Sequence, residues 1–136
     1  MKALTIKQPW VNAIFRAGKD IENRTWKTSY RGWLAIHAAG QPRRGALYPL
    51  GLVVPSLSTL DCSAVCGIVR LVDIVEDSDS PWYYRPDDGS TNFGWVLADP
   101  IQFDRPIKCK GKLNLWQLPE DITEQISQMV PDGVFI

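Results

Sequence analysis

Two stretches of this chain carry apolar residues at helical spacing between proline or glycine stops; most other apolar runs are closed by glycine, proline or a polar cluster. The first is Trp10, Ala13, Ile14 and Ala17, the i, i+3, i+4, i+7 stripe of a helix that Pro9 opens and Gly18 ends. Asn12 and Arg16 fall off that stripe. The second is Ile122, Ile126, Met129 and Val130, begun behind Pro119 and stopped by Pro131. Between them the pattern predicts strands over residues 4–6, 21–24, 33–37 and 66–75, then one over 95–103 interrupted near Asp99-Pro100, and a last pair over 107–109 and 113–118. A short helix is expected over 44–50 in a Pro- and Gly-rich stretch, and an exposed loop over 76–92. No repeat, linker or low-complexity segment divides the chain, so residues 1–136 are expected to form one domain. With strands outnumbering helices, the expected class is α+β: a small, strongly bent mixed sheet or pseudo-barrel flanked by helices.

A hydrophobic content of 45% is enough for one core in a chain of this length. No run approaches the roughly 20 apolar residues that span a bilayer, and the start Met1-Lys2-Ala3-Leu4 leads into polar Lys7-Gln8-Pro9 instead of a signal-peptide core. No membrane association and a cytoplasmic location are therefore expected. Cys62, Cys66 and Cys109 are an odd number at spacings unlike a disulfide framework, which fits reduced thiols. The net charge is zero, yet residues 1–60 hold nine basic and two acidic side chains, a net of +7, and residues 61–136 hold six basic and thirteen acidic, a net of −7. Such segregation makes one positive face compatible with neutrality, unless interleaved strands mix the two halves.

The chemistry-bearing segment is Gly18-Lys19-Asp20-Ile21-Glu22-Asn23-Arg24-Thr25-Trp26, directly after the first helix. If residues 21–24 are extended, Glu22 and Arg24 share one face of the strand, with Lys19 at the hinge. An ammonium, a carboxylate and a guanidinium together can hold a phosphate and a base edge, Arg as a planar fork, Lys as a mobile point charge and Glu as acceptor for an exocyclic amine. A surface ion-pair network of little energetic consequence is the competing reading. Trp26 returns to the face of Arg24, where a base can stack on its ring.

Gln8-Pro9-Trp10, the Gly-Lys-x-x-Glu-x-Arg-x-Trp segment, Tyr30-Arg31-Gly32 and Ile36-His37-Ala38 together resemble the ASCH family, which is related to the PUA group of RNA-binding folds. Phe93-Gly94-Trp95-Val96-Leu97, Pro106-Ile107-Lys108-Cys109-Lys110-Gly111 and Leu115-Trp116 resemble that family's C-terminal strands. The resemblance implies a PUA-like, mostly antiparallel pseudo-barrel with a cleft between barrel and helix, into which Lys19, Glu22 and Arg24 project. One departure is visible: the family often has glycine two positions before the lysine, where this chain has Ala17 and places Gly18 next to Lys19. Some small relatives are described as amidohydrolases of acetylated cytidine that use a lysine and a threonine of this motif. Lys19 matches the lysine, but Glu22 stands where the threonine would be, and Thr25 falls on the wrong face. Others are described as ribonucleases.

Remaining candidates divide between packing and binding. His37, the only histidine, rules out a two-histidine ribonuclease mechanism within one chain; it is either a structural group or a cleft residue able to move a proton. Cys62-x-x-x-Cys66 with distant Cys109 lacks a fourth soft ligand, so neither a metal nor another cofactor is expected. Trp10, Trp33 and Trp116 have apolar neighbours that favour core roles. Trp26, Trp82 and Trp95, with Arg31, are counted as candidate ligand contacts; Trp82-Tyr83-Tyr84 forms either a lid over a bound base or a pin holding its loop to the barrel. Two function classes follow. The first is a module binding RNA or a nucleotide-like small molecule. The second is a hydrolase of RNA or a modified nucleoside, with Lys19 as general base beside Glu22, and the lack of a nucleophile next to Lys19 favours binding.

Overall fold

The structure, a computed structural model, describes every residue from Met1 to Ile136. Six strands and two helices follow in the order β1 (Lys2–Ile6), α1 (Trp10–Arg16), β2 (Ile21–Arg24), β3 (Gly32–Ala38), β4 (Ala64–Val75), β5 (Phe93–Lys108), β6 (Leu115–Gln117) and α2 (Glu120–Met129). They form one mixed sheet in the order β2-β5-β4-β3-β1-β6, with β1 and β3 parallel and every other pair antiparallel. The sheet curls into a half-barrel of the expected PUA-like α+β class. No helix is long and apolar enough to cross a membrane.

The curl is written into β4 and β5. Their register shifts between Val65 and Gly67, between Ile68 and Arg70, and between Leu71 and Asp73, and each extra residue bends the ladder and adds twist. The expected interruption at Asp99-Pro100 is one of these irregularities. Asp99 takes a left-handed φ of 52° and the strand continues past it, because a bulge accommodates both a positive φ and a proline that cannot donate. Gly67 has a different reason to be glycine: a Cβ there would stand 2.3 Å from the Ile101 carbonyl and 2.5 Å from the Phe15 ring. Its bare backbone lets α1 lie close on the sheet.

Strand alternation buries both faces of the sheet. Leu4, Ile6, Leu34, Ile36, Cys66, Val69 and Leu71 point to the α1 side, where Val11, Ile14, Trp95 and Leu97 complete the cluster. Ala3, Ala35, Val65 and Ile68 point to the other side, where Phe103, Trp116, Ile122 and Ile126 cover them. Two expectations need correction. Residues 44–50 form no α-helix; only short 3-10 turns at Pro49–Gly51 and Leu57–Thr59 are present. Pro49 disfavours helix in the residue before it, and Gly45, Leu50 and Gly51 all have positive φ. The last strands also do not pair with each other: Ile107 and Lys108 close β5, whereas β6 is confined to Leu115–Gln117 and pairs with β1. The left-handed Asn114 (φ 60°) breaks the intervening chain.

Candidate functional site

Helix α1 ends at Arg16 with Ala17 capping it, and Gly18, with a φ of 74°, turns the chain back so that the Lys19 N–H donates to the Ala13 carbonyl. This turn throws the Lys19 side chain inward, and the residue is only 5% exposed. Its Nζ donates to the Ile21 carbonyl, lies 3.5 Å from Glu22 Oε1, and stands 5.5 Å from the Trp10 ring centroid and 5.7 Å from that of Trp82. Burial holds its pKa below the ordinary lysine value, against the opposing pull of the Glu22 carboxylate.

Period-two alternation does put Glu22 and Arg24 on one face of β2. Arg24 Nε and Nη2 each sit 3.0 Å from Glu22 Oε2. The same Nη2 also donates to the Thr5 carbonyl at 2.9 Å. Thr5 is on β1 and Arg24 on β2, which are separated in the sheet by β5, β4 and β3. The guanidinium therefore clasps the open side of the half-barrel while orienting the carboxylate that faces Lys19. Arg24 stands behind the cleft as a structural link.

The cleft itself is a cavity of about 710 Å³. Lys19 and Glu22 form its charged floor, Trp10, Tyr48 and Trp82 its aromatic walls, and Arg43 a second cation at its edge. Tyr48 stacks at a tilt on Trp10 (5.9 Å between centroids) and edge-on to Trp82 (5.4 Å). Its hydroxyl donates to Pro9 O at 2.8 Å or Asn12 Oδ1 at 3.0 Å, and burial pushes its pKa up to about 12. The Trp82 loop is fastened by Asn23. Asn23 Nδ2 donates to Trp82 O, and its Oδ1 accepts from the Tyr84 N–H and from Asn92 Nδ2. Tyr83 Oη donates to Glu76 O or Asn92 O. The loop is thus pinned to the barrel and at the same time supplies a wall of the cleft.

The other sequence candidates lie elsewhere. Trp95 is wholly buried in the α1-side core, with its indole N–H donating to Trp26 O at 3.2 Å. Trp26 packs edge-on against it at 4.9 Å. Neither lines the cleft: Trp95 is the cross-strand partner of Glu22 and shares its face, but its ring is wholly enclosed by the core and Trp26 packs on it there. Arg31 is an exposed residue donating to Thr28 O and Tyr30 O, 3.9 Å from Asp73. His37 is 1% exposed, joined to Cys109 O through Nε2 at 2.6 Å and to Thr5 Oγ1 through Nδ1 at 3.3 Å. Burial lowers its pKa, and both nitrogens are engaged with protein groups. Trp10, Asn23, Arg43 and Tyr48 were not read as site residues. For Trp10 a signal existed, since it immediately follows Pro9 at the edge of its helical stripe, but the residues that meet it across the cleft are far apart in sequence.

The ASCH domain family model matches residues 4–106. Activating signal cointegrator 1 of Homo sapiens is 25% identical over 141 residues, and that of Mus musculus 27% identical over 131; each match covers 88% of this chain and 22% of the relative. The chain thus spans about a fifth of the length of these relatives. Among solved structures, the ASCH protein of Zymomonas mobilis superimposes with a TM-score of 0.62 at 15% identity over 94% of both chains. A tyrosine-to-phenylalanine variant of it gives 0.59 at 14% identity, over 94% of this chain and 96% of that one. With the lysine-bearing turn, the β2 carboxylate and most of the curled sheet inside the matched region, this chain belongs to the ASCH domain family.

Proposed function

We propose that the cleft holds one unstacked base of a single-stranded RNA, or a nucleotide-like small molecule, between its aromatic walls. The observation that carries this is Lys19: an ammonium sunk between two indoles and held by one carboxylate gives a fixed donor in a desolvated aromatic slot. A cavity of about 710 Å³ falls in the range that encloses a small organic ligand. Trp10, Tyr48 and Trp82 offer ring surface for stacking, Glu22 accepts from a base edge, and Arg43 is placed for a phosphate.

Hydrolysis is the second reading, favoured by the lowered pKa of Lys19, which suits a general base. Against it, the cleft lining contains no serine, threonine or cysteine, and Tyr48 is held protonated well above neutral pH. A hydrolase here would draw on water activated by Lys19, since no serine, threonine or cysteine faces it.

The test is a panel of short single-stranded RNAs and nucleosides, followed by thermal shift and by product analysis. Binding without product is expected. Lys19→Met removes it, Trp82→Ala weakens it with little change in salt dependence, and Arg43→Ala weakens it while flattening the salt slope. A parent that binds nothing at low salt, or a Lys19→Met variant that binds equally well, overturns the reading. Product that disappears with Lys19→Met favours the hydrolase.

A further inference from the structure

A second concavity of about 340 Å³ opens where residues 109–114 cross the end of β1 and β3. Its lining includes Lys110 and Lys112 and no carboxylate, and Ser63 adds a hydroxyl; the Thr5 hydroxyl at its base is already shared between His37 Nδ1 and the Trp116 indole N–H. The backbone of this loop is held from below. The Cys109 N–H donates to Ser63 O at 3.1 Å, and His37 donates from Nε2 to Cys109 O. At Gly111 the chain lies directly on the histidine: a Cβ there would stand 2.6 Å from His37 Cε1 and 2.9 Å from Thr5 Oγ1. Ser63, whose carbonyl accepts from the Cys109 N–H and whose own N–H donates to Ala38 O at 2.8 Å, has a left-handed φ of 53°. Beyond Cys109, the N–H groups of Lys110, Gly111, Lys112 and Leu113 donate to no protein acceptor. A hollow rimmed by two ammonium groups, free of carboxylates and crossed by loop amides that no protein acceptor occupies has the chemistry to hold an anion.

We propose that this hollow is a phosphate subsite, and that it takes a backbone phosphate of the same strand whose base occupies the Lys19 cleft. The second half of that statement rests on the function proposed above. The two cavities stand at opposite ends of one polar chain. Thr5 lines the phosphate hollow, its carbonyl accepts from Arg24, and Arg24 holds Glu22 in the base cleft. Arg24 is engaged with Glu22 and the Thr5 carbonyl, so beyond Arg43 at the cleft edge the positive charge for a strand comes from Lys110 and Lys112. This makes the preferred ligand an oligonucleotide, with a mononucleoside able to fill only one end.

The test uses the full chain and a Lys110→Ala, Lys112→Ala double variant, both observed by amide NMR and by affinity measurement. Titrated inorganic phosphate should shift the Gly111 and Lys112 amides saturably in the parent, and Gly111 should lose this response in the variant. For a short single-stranded RNA the variant should bind about tenfold more weakly, with a salt slope shallower by roughly one to two, while nucleoside affinity stays unchanged. Absence of a saturable Gly111 response overturns the subsite. A response to phosphate with equal RNA affinity in parent and variant overturns the assignment to a strand and leaves a free-phosphate site. A phosphate response together with no nucleoside or RNA effect at Lys19 keeps the subsite and removes the base-holding cleft instead.

Discussion

The two sides of the sheet are built from similar aliphatic residues but differ in what they bury with them. On the α2 side, Phe103, Trp116, Ile122 and Ile126 close over Ala35, Val65 and Ile68, and the buried polar group at its margin is His37, whose ring stands edge-on to Trp116 at 5.7 Å. On the α1 side the apolar cluster passes into the cleft, and Lys19, Glu22, Gln8 and Asn92 are all buried along with it. Burying charges is expensive, and a fold that only needed stability would fill the space with aliphatic side chains. Buried charge confined to the α1 side is what the proposed binding cleft there requires.

Glu22→Ala gives the largest test of that contrast. It strips the counter-charge from buried Lys19 and from Arg24, and urea unfolding should register a loss of about 4 kcal/mol, in the range for breaking a buried ion pair. A loss below 1 kcal/mol would mean that the triad behaves like a surface network. Ile126→Ala removes a wholly buried side chain from the α2 side and should cost about 3 kcal/mol, while the folded protein keeps its ligand affinity. If affinity fell as well, the two sides would not be separable.

His37 supplies a pH test confined to the α2 margin. Its folded pKa is lowered from 6.5, so below pH 6.5 the unfolded chain takes up a proton that the folded chain refuses. Stability should therefore fall as pH drops through 6.5 and level off once the folded histidine also titrates, with a slope of at most about 1.4 kcal/mol per pH unit. His37→Gln should remove that component; an unchanged profile would place the pH dependence on other groups. The smallest effect is expected from Arg70→Ala. Arg70 lies 2.7 Å from Asp99, closer than any contact in the buried triad's carboxylate bonds, but both side chains are about half exposed. A stability change under about 1 kcal/mol is expected by urea unfolding, and a larger one would show that distance outweighs burial in this fold.

Much of the architecture was legible because local pattern and tertiary burial agree. The α1 stripe, the Gly18 stop, β2 and its shared Glu22–Arg24 face, β3, β4 and α2 each follow from spacing that the barrel then uses. The 44–50 segment was misread because apolar residues in a loop look like a helix until the positive-φ positions are known. Trp95 was misread as a ligand contact because alternation indicates which side of a strand a residue takes, without distinguishing a filled interior from an open cleft.

The sequence by itself determined the family, the class of fold and the charged trio after Gly18, since these depend on residue types at short separations. Only the tertiary structure decided the division of labour within that trio. Lys19 faces Trp10 and Trp82, whereas Arg24 reaches Thr5 on β1, and both contacts exist only after the sheet has curled. The same closure brings Arg43, Tyr48 and Trp82 to one cleft and sets Lys110 and Lys112 beside Thr5. Contacts between residues far apart in the chain depend on strand order and bulge positions, quantities that no window of neighbouring residues contains.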